Sequence, residues 1–183
     1  MLLPLLSTDR PDPNLTLYAV SAKPNTSSPN IRFQEKIAIM TDLTARDSFA
    51  VWTTVSVRYG DLDPNNHVNN GAINQYFEDG RVGFRLQRLT EVAGNTLSGF
   101  AVVKFAANYH APAHYPGDVE IGTVVTRIGG SSYGLGQGVF QNGKCVATAE
   151  IVTVQFDPET SKSVALAAPF RRALEAAMGP SAT

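Results

Sequence analysis

Acid, amide and imidazole side chains are concentrated in one short stretch, Arg58-Tyr59-Gly60-Asp61-Leu62-Asp63-Pro64-Asn65-Asn66-His67-Val68-Asn69-Asn70. A helical period follows at once. Ile73, Tyr76, Phe77, Gly80 and Phe84 fall at i, i+3, i+4, i+7 and i+11, which is one face of a helix. The polar stretch therefore occupies a strand-to-helix junction. A helix start presents unpaired N–H groups and a partial positive charge, and that end can stabilise an oxyanion. A carboxylate beside it can activate water or attack a carbonyl directly. Loop and helix start together suit acyl transfer.

Each of these residues also has a plainer use. Asp63 precedes proline, and Asp-Pro is a common turn opener. Asp61 suits a structural role, holding the loop through backbone hydrogen bonds. Asn65 and Asn66 are natural turn residues, and Asn69 and Asn70 are natural helix caps. His67 can fix the loop or take part in acid–base chemistry. Glu78 can pair with Arg81 at i+3 or act as a second acid. His110 and His114 lack partners at metal-ligand spacing, so no metal site is expected. Cys145 sits in a strand pattern as a small hydrophobe. No Gly-x-Ser-x-Gly elbow occurs, which argues against an α/β-hydrolase.

The elements that must position this stretch can be read along the chain. Phe49–Tyr59, rich in Val, Trp and Thr, reads as a strand. The helix is expected over residues 73–89, about 25 Å long at ~1.5 Å per residue. Four strands follow: Phe100–Tyr109, Asp118–Ile128, Ser132–Gln141 and Lys144–Phe156. Tyr133, Leu135 and Val139 alternate onto one side of the third of these, and Gly134, Gly136 and Gly138 onto the other. The glycines are read as close packing against the helix or a second sheet. Asn142-Gly143 is the strongest hairpin signal, because both residues tolerate the positive φ of a type I′ turn. A short helix over Pro169–Met178 closes the pattern.

Residues 1–48 differ from the rest. They carry Pro4, Pro11, Pro13, Pro24 and Pro29, with strand-like pieces at Leu15–Val20 and Ile31–Met40. They are read as an N-terminal extension, partly extended or mobile, before a domain at 49–178 and a tail at 179–183. The opening MLLPLLSTDR has no charged n-region and no full h-region, so no signal peptide is expected.

Composition bounds the partners. The chain has 183 residues, 43% hydrophobic and 17% charged, with net charge −1. That balance suits one globular domain with an appendage. It supplies no basic field for nucleic acid or an anionic membrane. An anionic ligand must be gripped locally, with Arg81, Arg85, Lys104, Arg127 and the Ser131-Ser132 turn as candidates. One cysteine excludes an intrachain disulfide. No apolar run reaches the ~18 residues that span a bilayer. A cytoplasmic location is the expectation.

The stretch Asp-x-Asp-x-x-x-His-Val-Asn-Asn, followed by a helix with Tyr76-Phe77-Glu78 and Arg81, resembles the active-site region of hotdog thioesterases related to 4-hydroxybenzoyl-CoA thioesterase. Tyr109-His110-Ala111-Pro112, Tyr115-Pro116-Gly117-Asp118 and Gly130-Ser131-Ser132 extend the likeness, which covers roughly residues 50–178. It implies an α+β fold in which an antiparallel sheet of about five strands wraps one helix. It implies hydrolysis of an acyl-CoA thioester without a cofactor. Asp63 then matches the catalytic carboxylate, as nucleophile or general base, and Asn70 the position whose backbone N–H polarises the carbonyl. The same stretch resembles plant acyl-(acyl-carrier-protein) thioesterases, whose Asp-x-Asn-x-His corresponds to Asp63, Asn65 and His67. Glu78 is the remaining candidate acid. Asn69, Tyr76, Arg81, Ser131 and Ser132 are the expected substrate contacts. The plant enzymes carry two hotdog repeats and a further downstream catalytic residue, which has no placed counterpart here. This chain is too short for two repeats, so two copies must pair, as a homodimer or a dimer of dimers. An acyl-carrier-protein thioesterase and a non-catalytic acyl-CoA-binding module are the alternatives.

Overall fold

Asn69 starts the helix that organises the domain. Its side chain accepts a hydrogen bond from the Gly71 N–H at 2.7 Å, so the first turn forms at Asn70 rather than at Ile73. The computed structural model describes residues 41–93 and 98–179. Within them α1 (Asn70–Arg88) buries Ile73, Tyr76, Phe77, Gly80 and Phe84, the face expected from the spacing. Asn74, Gln75 and Glu78 face solvent. The expected strand pieces Leu15–Val20 and Ile31–Met40 lie outside the described residues.

Five strands form one antiparallel sheet: β1 (Val51–Ser56), β2 (Phe100–Tyr109), β3 (Asp118–Ile128), β4 (Ser132–Gln141) and β5 (Lys144–Gln155). Their order is β1-β3-β4-β5-β2. A four-residue helix, α2 (Thr90–Ala93), follows α1 directly. The last helix, α3 (Ala168–Glu175), ends three residues before the expected Met178. The β4–β5 hairpin turns at Asn142 (φ 52°) and Gly143 (φ 77°), the positive-φ pair such a turn requires.

The inner face of the sheet packs on α1 through Ile121, Tyr133, Leu135, Val139 and Ile151, all at most 2% exposed. Phe170 and Leu174 of α3 join the same core. Gly80 marks the closest approach of helix and sheet. A Cβ there would strike the Ile121 side chain and lie 2.7 Å from Gln137 Nε2. Gly80→Ala is therefore expected to cost about 1–3 kcal/mol by overpacking. Urea unfolding measures this, and an unchanged midpoint would mean the helix can move away from the sheet freely.

The glycine stripe packs closely, but not against the central helix. It faces the opposite side of the sheet. A Cβ at Gly136 would lie 2.5 Å from Leu43 Cδ2, and one at Gly138 would lie 2.7 Å from Phe49 Cζ. The segment before β1 covers this outer face, where Phe49, Val124 and Phe140 form a second cluster with Leu43, Trp52 and half-buried Cys145. Arg46 closes it, with a bidentate pair to Glu120 at 2.8 and 3.0 Å and its guanidinium 4.2 Å from the Trp52 ring centroid.

Candidate active site

The loop between β1 and α1 hangs from a carboxylate that is almost fully buried. Asp61 is 7% exposed. Its Oδ2 accepts hydrogen bonds from the Tyr76 hydroxyl at 2.7 Å and the Arg58 backbone N–H at 2.8 Å. The Arg58 guanidinium reaches Oδ1 at 2.9 Å. Its backbone carbonyl accepts from the Asn69 N–H at 2.8 Å. Asp61 thus ties the start of the loop to the helix cap. Burial pushes its carboxyl upward, but the Arg58 side chain, the Tyr76 hydroxyl and the Arg58 N–H outweigh burial and hold it below its ordinary value.

Asp63 follows two residues later, with partners of its own. Its Oδ1 accepts from the backbone N–H groups of Asn65 (2.8 Å) and His67 (3.1 Å), and its Oδ2 from the Asn65 side-chain amide (3.2 Å). Its own N–H donates to the His67 carbonyl at 2.8 Å. The loop is a tight knot around this carboxylate, closed by Asn66 at φ 61°. The His67 N–H, first among these donors, holds the Asp63 carboxyl below its ordinary value. It is therefore ionised at neutral pH. Asp63, Asn65 and His67, expected together, are together.

The Leu62–Val68 bridge closes the loop before the helix start, and the Val68 N–H ties it to the segment before β3, donating to the Ala113 carbonyl at 2.9 Å. The Asn69 cap takes the Gly71 N–H, and the Ile73 N–H reaches the Asn69 carbonyl. Among the described residues no acceptor meets the Asn70 N–H, so it is available to an incoming oxygen.

The other expected residues lie elsewhere. Tyr76, expected to touch substrate, is 1% exposed and spends its hydroxyl on Asp61. Its burial and the Asp61 carboxylate raise the phenol well above its ordinary value. Glu78 is exposed, about 12 Å along α1 from Asn70 at ~1.5 Å per residue, and the expected ion pair with Arg81 is not formed. Arg81 lies over the Phe105 ring, 5.8 Å from its centroid. The Ser131-Ser132 turn stands at the far end of β3 from Gly117, roughly 35 Å away at ~3.3 Å per residue. Its carbonyls accept from Gln155 and Gly129 N–H groups. Within one chain it does not meet the loop.

Two residues at the site were given no part in it from sequence. The His114 ring meets His67 edge to face, with centroids 5.2 Å apart. Gln141 holds His114 in place, accepting from its N–H at 2.9 Å and donating to its carbonyl at 2.8 Å. Gln141 is 8% exposed. A glutamine at a core-facing register position was the available signal. His110 is used otherwise, with Nε2 2.9 Å from Thr148 Oγ1.

The strand–loop–helix frame with four more strands matches known proteins. Residues 57–176 match the thioesterase-like superfamily. The chain belongs to the thioesterase-like superfamily. Solved structures agree with this membership. The PA5185 protein from Pseudomonas aeruginosa is 26% identical with a TM-score of 0.67, covering 75% of this chain and 97% of its own. A thioesterase from Thermus thermophilus, complexed with coenzyme A and Zn, is 28% identical with a TM-score of 0.63, covering 70% and 94%. YbaW from Escherichia coli, described as a probable thioesterase, is 28% identical with a TM-score of 0.56, covering 70% and 99%. No curated protein matches the chain. The superfamily's hotdog fold is the one found here, and its loop-to-helix junction is where this chain gathers its polar residues.

Proposed function

We propose that this chain hydrolyses an acyl-CoA thioester to the free acid and CoA. The observation that carries the reading is the ionised Asp63 carboxylate, knotted into the loop that ends at the Asn69 cap. Asp63 attacks the thioester carbonyl or draws a proton from the attacking water. The Asn70 N–H and the positive end of α1 receive the oxyanion. Asn65 fixes the Asp63 carboxylate, and His67, backed by His114, lies beside it. Membership of the superfamily and the coenzyme A bound to the Thermus thermophilus thioesterase support the choice of substrate. Thiol release from a panel of acyl-CoAs tests it. Saturable release from one class is expected. Release only from acyl-carrier protein would transfer the activity to that substrate, and release from neither would leave a binding module.

The catalytic unit of this reading is residues 49–178, working as a homodimer. β2 is ten residues long and pairs with β5 alone among the described strands. Val102 and Val103 on it are 45% and 61% exposed. A long apolar edge of this kind is a template for another strand. Val103→Lys is expected to raise the dimer dissociation constant by tenfold or more, at roughly 1.4 kcal/mol per decade. Analytical ultracentrifugation reads this directly. A wild type sedimenting as a monomer would remove the dimer, and a species of four chains would replace it with a dimer of dimers.

A further inference from the structure

The seam between α1 and β2 changes character along its length. At the loop end the Tyr109 hydroxyl donates to Asn74 Oδ1 at 2.9 Å. In the middle the rings of Phe77 and Phe105 meet edge to face, with centroids 5.8 Å apart. Beyond them the Arg81 guanidinium lies 5.8 Å from the Phe105 ring centroid. Asn74, Phe77 and Arg81 are spaced i, i+3 and i+7, so they line one face of the helix. The seam runs from polar through aromatic to cationic.

Arg81 is the part of it that the fold leaves incomplete. Its Nη1 is buried and has no hydrogen-bond partner among the described residues. Burial lowers the guanidinium's proton affinity, and nearby Glu78 offsets this only in part. Buried charges are ordinarily paired, and a buried N–H left without an acceptor is unfavourable. Phe105, across the seam, is 38% exposed, so the seam is open on that side. The missing acceptor can therefore come from outside the chain.

We propose that Arg81 anchors an oxygen anion carried by the thioester ligand, about 16 Å along α1 from Asn70 at ~1.5 Å per residue. The apolar part of the ligand lies between them on Phe77 and Phe105. This rests on reading the loop and the start of α1 as the thioester site. A guanidinium takes a carboxylate or a phosphate in the same forked geometry. The anion is accordingly a carboxylate at the far end of the acyl chain or a phosphate of CoA.

Calorimetry on the full chain separates these sources. The proteins are wild type, Arg81→Met and Arg81→Lys, and the probes are dodecanedioic acid, dodecanoic acid and CoA alone. With an acyl carboxylate at Arg81, wild type binds the diacid about tenfold more tightly than the monoacid, the scale of one charged hydrogen bond. Arg81→Met abolishes that advantage and Arg81→Lys keeps part of it. With a phosphate there, Arg81→Met weakens CoA about tenfold and the diacid has no advantage. Unchanged affinities for all three probes in Arg81→Met overturn the proposal. So does a loss confined to the dimer dissociation constant, because a second copy then supplies the acceptor. Should Arg81→Met fail to fold, Arg81→Lys against wild type carries the same comparison. Binding without thiol release keeps the Arg81 site and removes the hydrolase. Hydrolysis with KM unchanged in the folded variants does the reverse.

Discussion

Asp63→Asn is expected to lower kcat for the proposed acyl-CoA hydrolysis by roughly 10²- to 10⁴-fold while leaving the unfolding midpoint nearly unchanged, the range for losing a positioned acid–base group. The choice of asparagine follows from the hydrogen bonds. Asp63 Oδ1 accepts from the Asn65 and His67 N–H groups, and an asparagine carbonyl can accept both. The backbone bonds of the knot are kept, while the negative charge and the bond from the Asn65 side-chain amide to Oδ2 are removed. Asp63→Ala discards the knot as well, so it lowers activity and loosens the loop together. The pair of variants separates chemistry from scaffolding. In wild type the acidic limb of kcat/KM is expected below pH 3.8, because the loop N–H groups hold the Asp63 carboxyl under that value. Activity retained in Asp63→Asn would take the reaction away from this residue, with Glu78 the next acid to remove.

Asp61→Asn carries the largest expected effect on stability, about 2–3 kcal/mol near neutral pH, the worth of hydrogen bonds made to a charged group. Most of this comes from the buried Tyr76 hydroxyl. The Arg58 side chain is 71% exposed, so that ion pair contributes little by itself. The pH dependence has a definite sign. Folding lowers the Asp61 carboxyl below 3.8. Such a group contributes its full stability above the unfolded value and loses it as pH falls through that value towards the folded one. Wild type and Asp61→Asn should therefore differ most near neutral pH and converge in acid. Urea midpoints taken across that range measure the gap. Two curves that stay parallel down to strong acid would show that the Asp61 charge is not what the loop depends on.

Local order and local pattern carried much of the information about this protein. The spacing of Ile73, Tyr76, Phe77, Gly80 and Phe84 marked the buried face of α1 because a helix repeats over a few residues. Asp118–Ile128 and Ser132–Gln141 were bounded correctly because Pro116-Gly117, Gly129-Gly130 and Asn142-Gly143 break the chain at their ends. The polar stretch from Arg58 to Asn70 revealed itself by composition, and its match to the thioesterase-like superfamily agrees. The knot around Asp63 spans only five residues, so its members could be named together from sequence.

Contacts between distant segments could not be read in this way. The alternation of Gly134, Gly136 and Gly138 showed that one face was bare, but not which partner covered it. That partner is the segment carrying Leu43 and Phe49, nearly a hundred positions earlier. Tyr76 shares a helix face with core residues, and only the fold shows its hydroxyl reaching back to Asp61. His114 lies in the loop before β3 and meets His67 because Gln141, at the end of β4, holds its backbone. The sequence by itself determined the element types, the helix face and the polar loop, since each depends on neighbours along the chain. Only the tertiary structure decided the glycine stripe's partner, the support of Asp61, the pairing of His67 with His114 and the unpaired Arg81 nitrogen. These depend on sheet register and helix docking, which bring together residues whose separation in sequence carries no period.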